Sequence, residues 1–431
     1  MTTREENALL TQTGPGTPGG ALMRRYWHPI ALSSELPPGG PPRPIRLLGE
    51  DLVLFRDESG RVGLLGILCS HRCADLSYGR VEDGGLRCLY HGWLFDVEGR
   101  CLEQPAEPPE SKYKDEIRHP AYAVTERAGM IFAYLGPSEM GGGTPPLLPD
   151  YEFLRADSDH LFLQKTILDC NYLQSLEGDI DPSHLSYLHR PIRRLDARNV
   201  PGSDKSADQY YRDDGRPKLE AERTDFGVRI FSVRNSGEKG KYVRITNFIL
   251  PNKAAIIGNE GRVGEGYSIH WHVPIDDETH YRFDFIFNRA RPVARERYEA
   301  EIAHEIRDHR YIRNQANRYK QDREKQKNEN FTGMGNYFPV HDAFATETPG
   351  RVHKRENEHL GVSDTCIVVA RRQLLNAIEE AQAGRDPDHV VRSPAQNDMS
   401  HIVVVSEVVP HNVDYHDVWK RRQVKPQAAA E

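Results

Sequence analysis

Two short segments place cysteine and histidine at ligand spacing. Cys69-Ser70-His71 is a C-x-H loop, and Cys88-Leu89-Tyr90-His91, with sixteen residues between, is a C-x2-H loop. Each pair is close enough in sequence to bind one centre. One zinc would take all four as a tetrahedral structural site. A two-iron, two-sulfide cluster would put both cysteines on one iron and both histidines on the other, raising its reduction potential above that of all-cysteine clusters. The spacing by itself admits both.

A second constellation lies in residues 171–189, where Glu177, Asp179, Asp181, His184 and His189 crowd together. Residues 177, 181 and 184 would share one face of a continuous helix. His184 and His189 are five apart, about 140° around an ideal helix, so both reach one metal only if the helix ends or bulges between them. Pro182 supplies the interruption, and Asp181-Pro182 suits an N-cap followed by a first helical residue. Asp181 is therefore either a helix cap or a functional acid. Two neutral imidazoles plus one carboxylate on one face of an iron form the facial triad of non-haem Fe(II) oxygenases.

These residues need a scaffold. The chain has 431 residues and a net charge of −7, with 38% hydrophobic and 28% charged residues, the balance of a folded chain of two to three domains. No apolar run approaches the ~20 residues of a membrane helix, and the first residues lack the build of a signal peptide. The acidic balance argues against a nucleic-acid binder. Six cysteines are too few for a disulfide framework, so a cytoplasmic protein with reduced thiols is expected. Cys101, Cys170 and Cys366 read as buried small hydrophobes. Short strands with Gly turns fill residues 45–135, beginning with a strand–turn–strand over 46–57 and ending in the apolar run 130–135. The Gly/Pro-rich stretch after Gly136 reads as a linker. Beyond it, residues 228–233, 243–250 and 281–287 alternate as antiparallel strands. A long exposed helix is expected over 295–325, a second helix over 367–383, and a frayed tail after Trp419.

The surroundings of the first two loops decide between the metals. Arg72 follows the C-x-H, and Gly92-Trp93 follows the C-x2-H, inside a small β-rich region. This resembles the Rieske signature C-x-H-R…C-x2-H-G-W, and implies a [2Fe–2S] cluster on Cys69, His71, Cys88 and His91. Cys73 departs from it, where a small residue such as Gly is more usual. The pattern E-x3-D-x2-H-x4-H, about 85 residues later, resembles the catalytic domain of Rieske non-haem iron oxygenases. The stretch from Asp342 through Ala343 and Glu347 to Arg355 and Glu358 resembles the phthalate 4,5-dioxygenase-like branch. There an Asp opens the motif, which places the third iron ligand on Asp342; the bland alternative is that Asp342 caps the following helix. The branch often has Gln where this chain has His341.

The resemblance covers about the whole chain and implies an α+β fold: a small Rieske domain joined to a helix-grip catalytic domain. The expected division is 1–42 as an N-terminal segment packing on the catalytic domain, 43–136 as the Rieske domain, 137–149 as linker and 150–431 as the mononuclear iron domain. It further implies a homotrimer or stacked trimers, in which Asp181 bridges His184 and the neighbouring subunit's cluster ligand His91, carrying an electron between centres too far apart within one chain. The implied activity is O2-dependent hydroxylation or dihydroxylation of an aromatic carboxylate such as a phthalate-like acid, or O-demethylation of a methoxylated aromatic acid. A carboxylate substrate needs a cation in its pocket. Arg244 matches a substrate-contacting arginine of phthalate-type enzymes, Arg234 is a second candidate, and an outward-facing strand charge is the alternative for Arg244. No G-x-G-x-x-G opens a helix after a strand, so electrons are expected from a separate NAD(P)H-dependent flavin/iron–sulfur reductase. Two other classes compete, a Rieske electron carrier without oxygenase chemistry and a zinc-stapled interaction module.

Overall fold

The computed structural model describes residues 2–136, 144–192, 207–258, 260 and 265–422. Most of the expected linker, 137–143, and the tail beyond Arg422 lie outside the described residues.

The first sheet has six antiparallel strands, in the order His28–Leu32, Met130–Tyr134, Ala121–Arg127, Val62–Gly66, Glu50–Arg56 and Arg43–Leu47. The hairpin between the last two turns on Leu48 and Gly49, both at positive φ, as a tight two-residue connection requires. Its edge strand His28–Leu32 precedes residue 43, so this sheet already begins inside the N-terminal segment. A four-stranded meander from Arg80 to Glu103 projects from it and carries the second Cys/His loop. Val53, Phe55, Leu65, Leu76, Trp93 and Phe95 pack with Cys69 and Cys88 into a small core of their own.

The second sheet is larger. Its main path runs Leu161–Leu168, His280–Asn288, Gly266–Pro274, Lys253–Ile256, Lys241–Ile249, Gly227–Asn235 and Lys218–Thr224, and Val405–Val409 also pairs with Lys241–Ile249. Strand alternation divides its two faces. Trp271 and Phe285 meet Phe132 of the first sheet, with ring centroids 5.6 and 6.4 Å away, and join a common apolar core. The opposite face is polar. Gln164, Asp284 and His270 form one cross-strand row, and Thr166, Arg282 and His272 the next. This face looks toward the helix Tyr172–Asp179, whose last residue places its carboxylate 2.7 Å from His272 Nε2 and 2.9 Å from His270 Nδ1.

The helix expected over 367–383 is present as Thr365–Gln382, burying Ala370, Leu374, Ala377 and Ile378. The helix expected over 295–325 is not continuous. It stops at Glu305, and a two-strand hairpin follows, Ile306–Arg307 with Arg310–Tyr311. Asp308 and His309 turn that hairpin at positive φ. The charged run offers no apolar stripe to hold a longer helix, and the chain instead tucks Tyr311 beside Leu168 and Val340.

Candidate active site

The two Cys/His loops share one backbone design. Cys69 N–H donates to Ala74 O and Cys73 N–H returns to Cys69 O; Cys88 N–H donates to Trp93 O and Gly92 N–H returns to Cys88 O. The fourth residue after each cysteine is in the left-handed region, Cys73 at φ 56° and Gly92 at φ 77°. That geometry favours glycine, which explains why Cys73 departs from the usual residue at a cost rather than with a gain. Its thiol is exposed, whereas Cys101, Cys170 and Cys366 are buried as expected.

The loops bring Cys69 and Cys88 together in the core and His71 and His91 together at the surface. The imidazole centroids are 4.4 Å apart, and His71 stacks on Trp93 at 4.5 Å. Burial, together with the adjacent Cys88, pushes the Cys69 thiol up to about 11. Burial, then the neighbouring His71 and Arg72, lowers His91. His91 Nδ1 is buried without a hydrogen-bond partner. Paired desolvated thiols and an unpartnered imidazole nitrogen are what a metal centre would resolve. One zinc would need all four ligand atoms around a single point. Among the described residues, the only group of three or more such atoms within 4.8 Å of one another is elsewhere. The donor set therefore fits a two-centre cluster.

That other group is His184, His189 and Asp342. The first two come from the loop after the helix Tyr172–Asp179, which ends at its cap Ile180. The helix thus ends before residues 181 and 184, as the interruption at Pro182 implies, and they do not share a helical face with Glu177. Glu177 turns the other way and accepts from Arg355 Nη2 at 2.8 Å and Arg371 Nε at 2.6 Å, pinning the helix to the C-terminal half. Asp181 and Pro182 do not open the expected helix. The following 3₁₀ turn is His184–Ser186 with Ser183 at its N-cap. Asp181 instead closes the loop before it, accepting from Ser183 N at 2.7 Å and His184 N at 3.3 Å. Its other contact is His184 Nδ1 at 3.6 Å, too long for a hydrogen bond. That nitrogen is buried and unpartnered. Loop-closing backbone contacts and the approach to His184 thus coexist at Asp181.

Asp342 comes from the helix Phe338–Glu347, whose N-cap is Tyr337. It sits in the second turn, so it is not the cap. Asp342 Oδ1 is 2.9 Å from His189 Nε2 and 3.9 Å from His184 Nε2. Burial would raise this carboxyl, but His189 and then His184 hold it down at about 2. Burial likewise opposes charge on His184, yet Asp181 and Asp342 leave it raised. His189 is oriented from behind by His341, at 3.3 Å between Nδ1 atoms, and stacks on Phe338 at 4.8 Å. Two imidazoles and a carboxylate converging within 4.8 Å fit one iron with positions left over for other ligands.

The two arginine candidates are treated differently. Arg234 is fully buried, and its guanidinium donates to Asp214 O, Ser232 Oγ and Pro182 O, stacking over Tyr211. It braces the loop that carries Asp181 and His184. Arg244 is 5% exposed, donates from Nη1 to Tyr211 Oη at 3.0 Å, and has a buried Nε without a partner. It is not the outward-facing strand charge. Tyr211, which organises both arginines and lines a small cleft with His189 and Ser186, carries no motif in the sequence. The histidines facing Asp179 were also unforeseen, although the alternation His270-Trp271-His272 places both on one face of a strand.

Comparison with known proteins places the chain. The family described as "Rieske [2Fe-2S] domain" matches residues 26–120, and "LigXa C-terminal domain like" matches residues 133–430. The chain is 36% identical to the phthalate 4,5-dioxygenase oxygenase subunit of Pseudomonas putida, over 98% of this chain and 95% of that one. It is 34% identical to the 5,5'-dehydrodivanillate O-demethylase oxygenase subunit of a Sphingobium strain, over 92% and 85%. In fold it is similar to dicamba monooxygenase bound to dicamba (TM-score 0.58, 19% identity, 84% of this chain and 99% of that one). It is also similar to a chain of the reduced oxygenase–ferredoxin complex of carbazole 1,9a-dioxygenase (TM-score 0.55, 21% identity, 90% and 93%). The chain belongs to the Rieske non-haem iron oxygenases, as an oxygenase subunit of the branch that includes phthalate 4,5-dioxygenase. It is thus an oxidoreductase whose cofactors are a [2Fe–2S] cluster and a mononuclear non-haem iron, and neither competing class, carrier or zinc module, describes it. No described helix is long and apolar enough to cross a membrane.

Proposed function

We propose that this chain is the terminal oxygenase that hydroxylates or dihydroxylates an aromatic carboxylate of phthalate type. Cys69, His71, Cys88 and His91 hold the cluster, and His184, His189 and Asp342 hold the iron. The convergence of those last three side chains is the observation that carries the reading. When bound, the cluster would supply single electrons and the iron would supply the chemistry of O2 activation. The protein's own residues do the rest. Arg244 offers a desolvated guanidinium to the substrate carboxylate, with Tyr211 fixing its plane, and holds the ring toward the iron. Arg234 contributes by bracing the loop rather than by touching substrate.

Electrons come from a separate NAD(P)H-dependent reductase, and the chain works in the cytoplasm as a trimer or stacked trimers. Two exposed apolar patches support head-to-tail assembly. Leu68, Leu89 and Tyr90 are exposed on or beside the cluster loops, while Tyr187, in the loop between His184 and His189, is exposed and in ring contact with exposed Phe331. In that arrangement Asp181 joins His184 to the neighbouring subunit's cluster ligand. The division into an N-terminal segment (1–42), Rieske domain (43–136), linker (137–149) and catalytic domain (150–431) belongs to the same reading. O-demethylation of a methoxylated aromatic acid is the second reading, favoured by the likeness to the dehydrodivanillate enzyme.

The test is turnover with NADH, a supplied reductase and candidate aromatic acids, with product identification. A cis-diol or hydroxylated acid formed only with reductase present supports the first reading, and formaldehyde with a phenol supports the second. Substrate-independent cluster oxidation with no oxygenated product would refute both.

A further inference from the structure

A metal shared with Asp342 requires a bare nitrogen on His189, and Nε2 is the one that faces Asp342. A neutral imidazole carries one hydrogen, so here it must sit on Nδ1 and needs an acceptor. The atom opposite is His341 Nδ1, 3.3 Å away. Two ring nitrogens facing each other accommodate one hydrogen between them. His341's own hydrogen is placed by its other nitrogen. Nε2 lies 3.0 Å from the carbonyl oxygen of Gly335, and a carbonyl only accepts. His341 therefore donates from Nε2, presents a lone pair on Nδ1, and obliges His189 to donate from Nδ1. The tautomers close with no charge on either ring.

The Gly335 oxygen is itself held in place. Asn330 Nδ2 donates to it at 3.1 Å, while Asn330 Oδ1 accepts from Gly333 N at 2.8 Å and Thr332 Oγ1 at 3.2 Å. Gly335 is at φ 85°, and a Cβ there would collide with the Arg313 guanidinium, which donates to Met334 O. Phe338 packs on the His189 ring at an interplanar angle of 23°.

We propose that His341, anchored on the Gly335 carbonyl, is a positioning residue that fixes the tautomer and plane of His189 and thereby sets the metal affinity of the His184–His189–Asp342 site. The inference rests on the triad being the iron site. Partners that orient a ligating histidine are worth about 10–100-fold in metal affinity. Glutamine at 341 can accept the same hydrogen through its amide oxygen and donate to Gly335. Asparagine is too short to do both, and leucine can do neither.

The test uses the full chain with its cluster intact, stripped of mononuclear metal and titrated anaerobically with Fe(II) and with Co(II), whose visible spectrum reports coordination. Wild type should bind one equivalent beyond the cluster, and His189→Ala should bind none. His341→Leu should bind about 10–100-fold more weakly with an altered Co(II) spectrum, while His341→Gln stays within a few-fold of wild type. Should His341→Leu melt early, the contrast of His341→Gln with His341→Asn decides, the Asn variant being the weak binder. Leu or Asn variants that are folded and bind as tightly as wild type overturn the proposal. No binding by wild type, or equal binding by His189→Ala, would instead overturn the triad itself.

Discussion

The cluster loops and the iron triad are built by opposite means. The loops are local: each ligand pair spans three or four residues, backbone hydrogen bonds shape both turns, and a small separate core supports them. The triad joins residues more than 150 positions apart, and its supports are long-range side-chain contacts through Glu177–Arg355/Arg371, Arg234–Pro182 and His189–His341. A site made by local backbone should survive distant substitutions. A site assembled from remote segments should feel them.

The sharpest break is at Asp342. Asp342→Ala should lose the mononuclear iron and all product formation while the cluster's absorption and reduced-state resonance stay unchanged, as iron analysis and spectroscopy would report. Next comes Asp181→Asn. Asn accepts backbone N–H groups in such a loop turn about as readily as Asp, so the fold and both metal sites should persist. The charge that would favour two imidazole contacts is lost, and single-turnover product yield should fall nearly to zero. Near-normal yield from a fully metallated variant would leave Asp181 as a loop-turn acceptor alone.

Arg244→Gln should lower kcat/KM for an aromatic carboxylate by about 2–5 kcal/mol, roughly 30-fold or more, with little effect on an uncharged analogue. Equal losses on both substrates would contradict a carboxylate anchor. Glu177→Gln tests remote support. Removing its charge leaves the buried Arg355 guanidinium without a carboxylate and Arg371 with Glu358 alone, at a cost of about 3–5 kcal/mol. Burial would raise Glu177, but Arg355 and Arg371 keep it below its ordinary value of 4.5. Its contribution is therefore complete above pH ~4.5 and lost as pH falls through the lowered value. Denaturation curves of wild type and variant should converge in acid, and iron retention should suffer before the cluster does. The smallest effect is expected at Cys73. Cys73→Gly should leave the cluster unchanged and be neutral or stabilising by up to about 1 kcal/mol, while Cys73→Val should cost about 1–2 kcal/mol.

The same contrast governs what could be read from the sequence. Cys69-Ser70-His71 and Cys88-Leu89-Tyr90-His91 announce themselves because ligands and turns occupy the same few residues. His184 and His189 were readable through Pro182, which signals the break that lets both reach one point. Asp342 rested on resemblance, since nothing near it in sequence says that the helix Phe338–Glu347 lies across from that break. Tyr211 and the histidines facing Asp179 act through tertiary contacts that no spacing encodes, and Arg355 entered only through the resemblance, without its partner Glu177. The segment 295–325 misled because charge density resembles an exposed helix, whereas the apolar anchors Ile306 and Tyr311 set the actual hairpin.

The most direct measurement is metal stoichiometry of the purified chain beside its Asp342→Ala variant. Wild type should contain the two irons and two inorganic sulfides of the cluster plus one further iron, and the variant should lose that iron alone. The same iron content in both proteins, or loss of the cluster together with the single iron, would contradict the account.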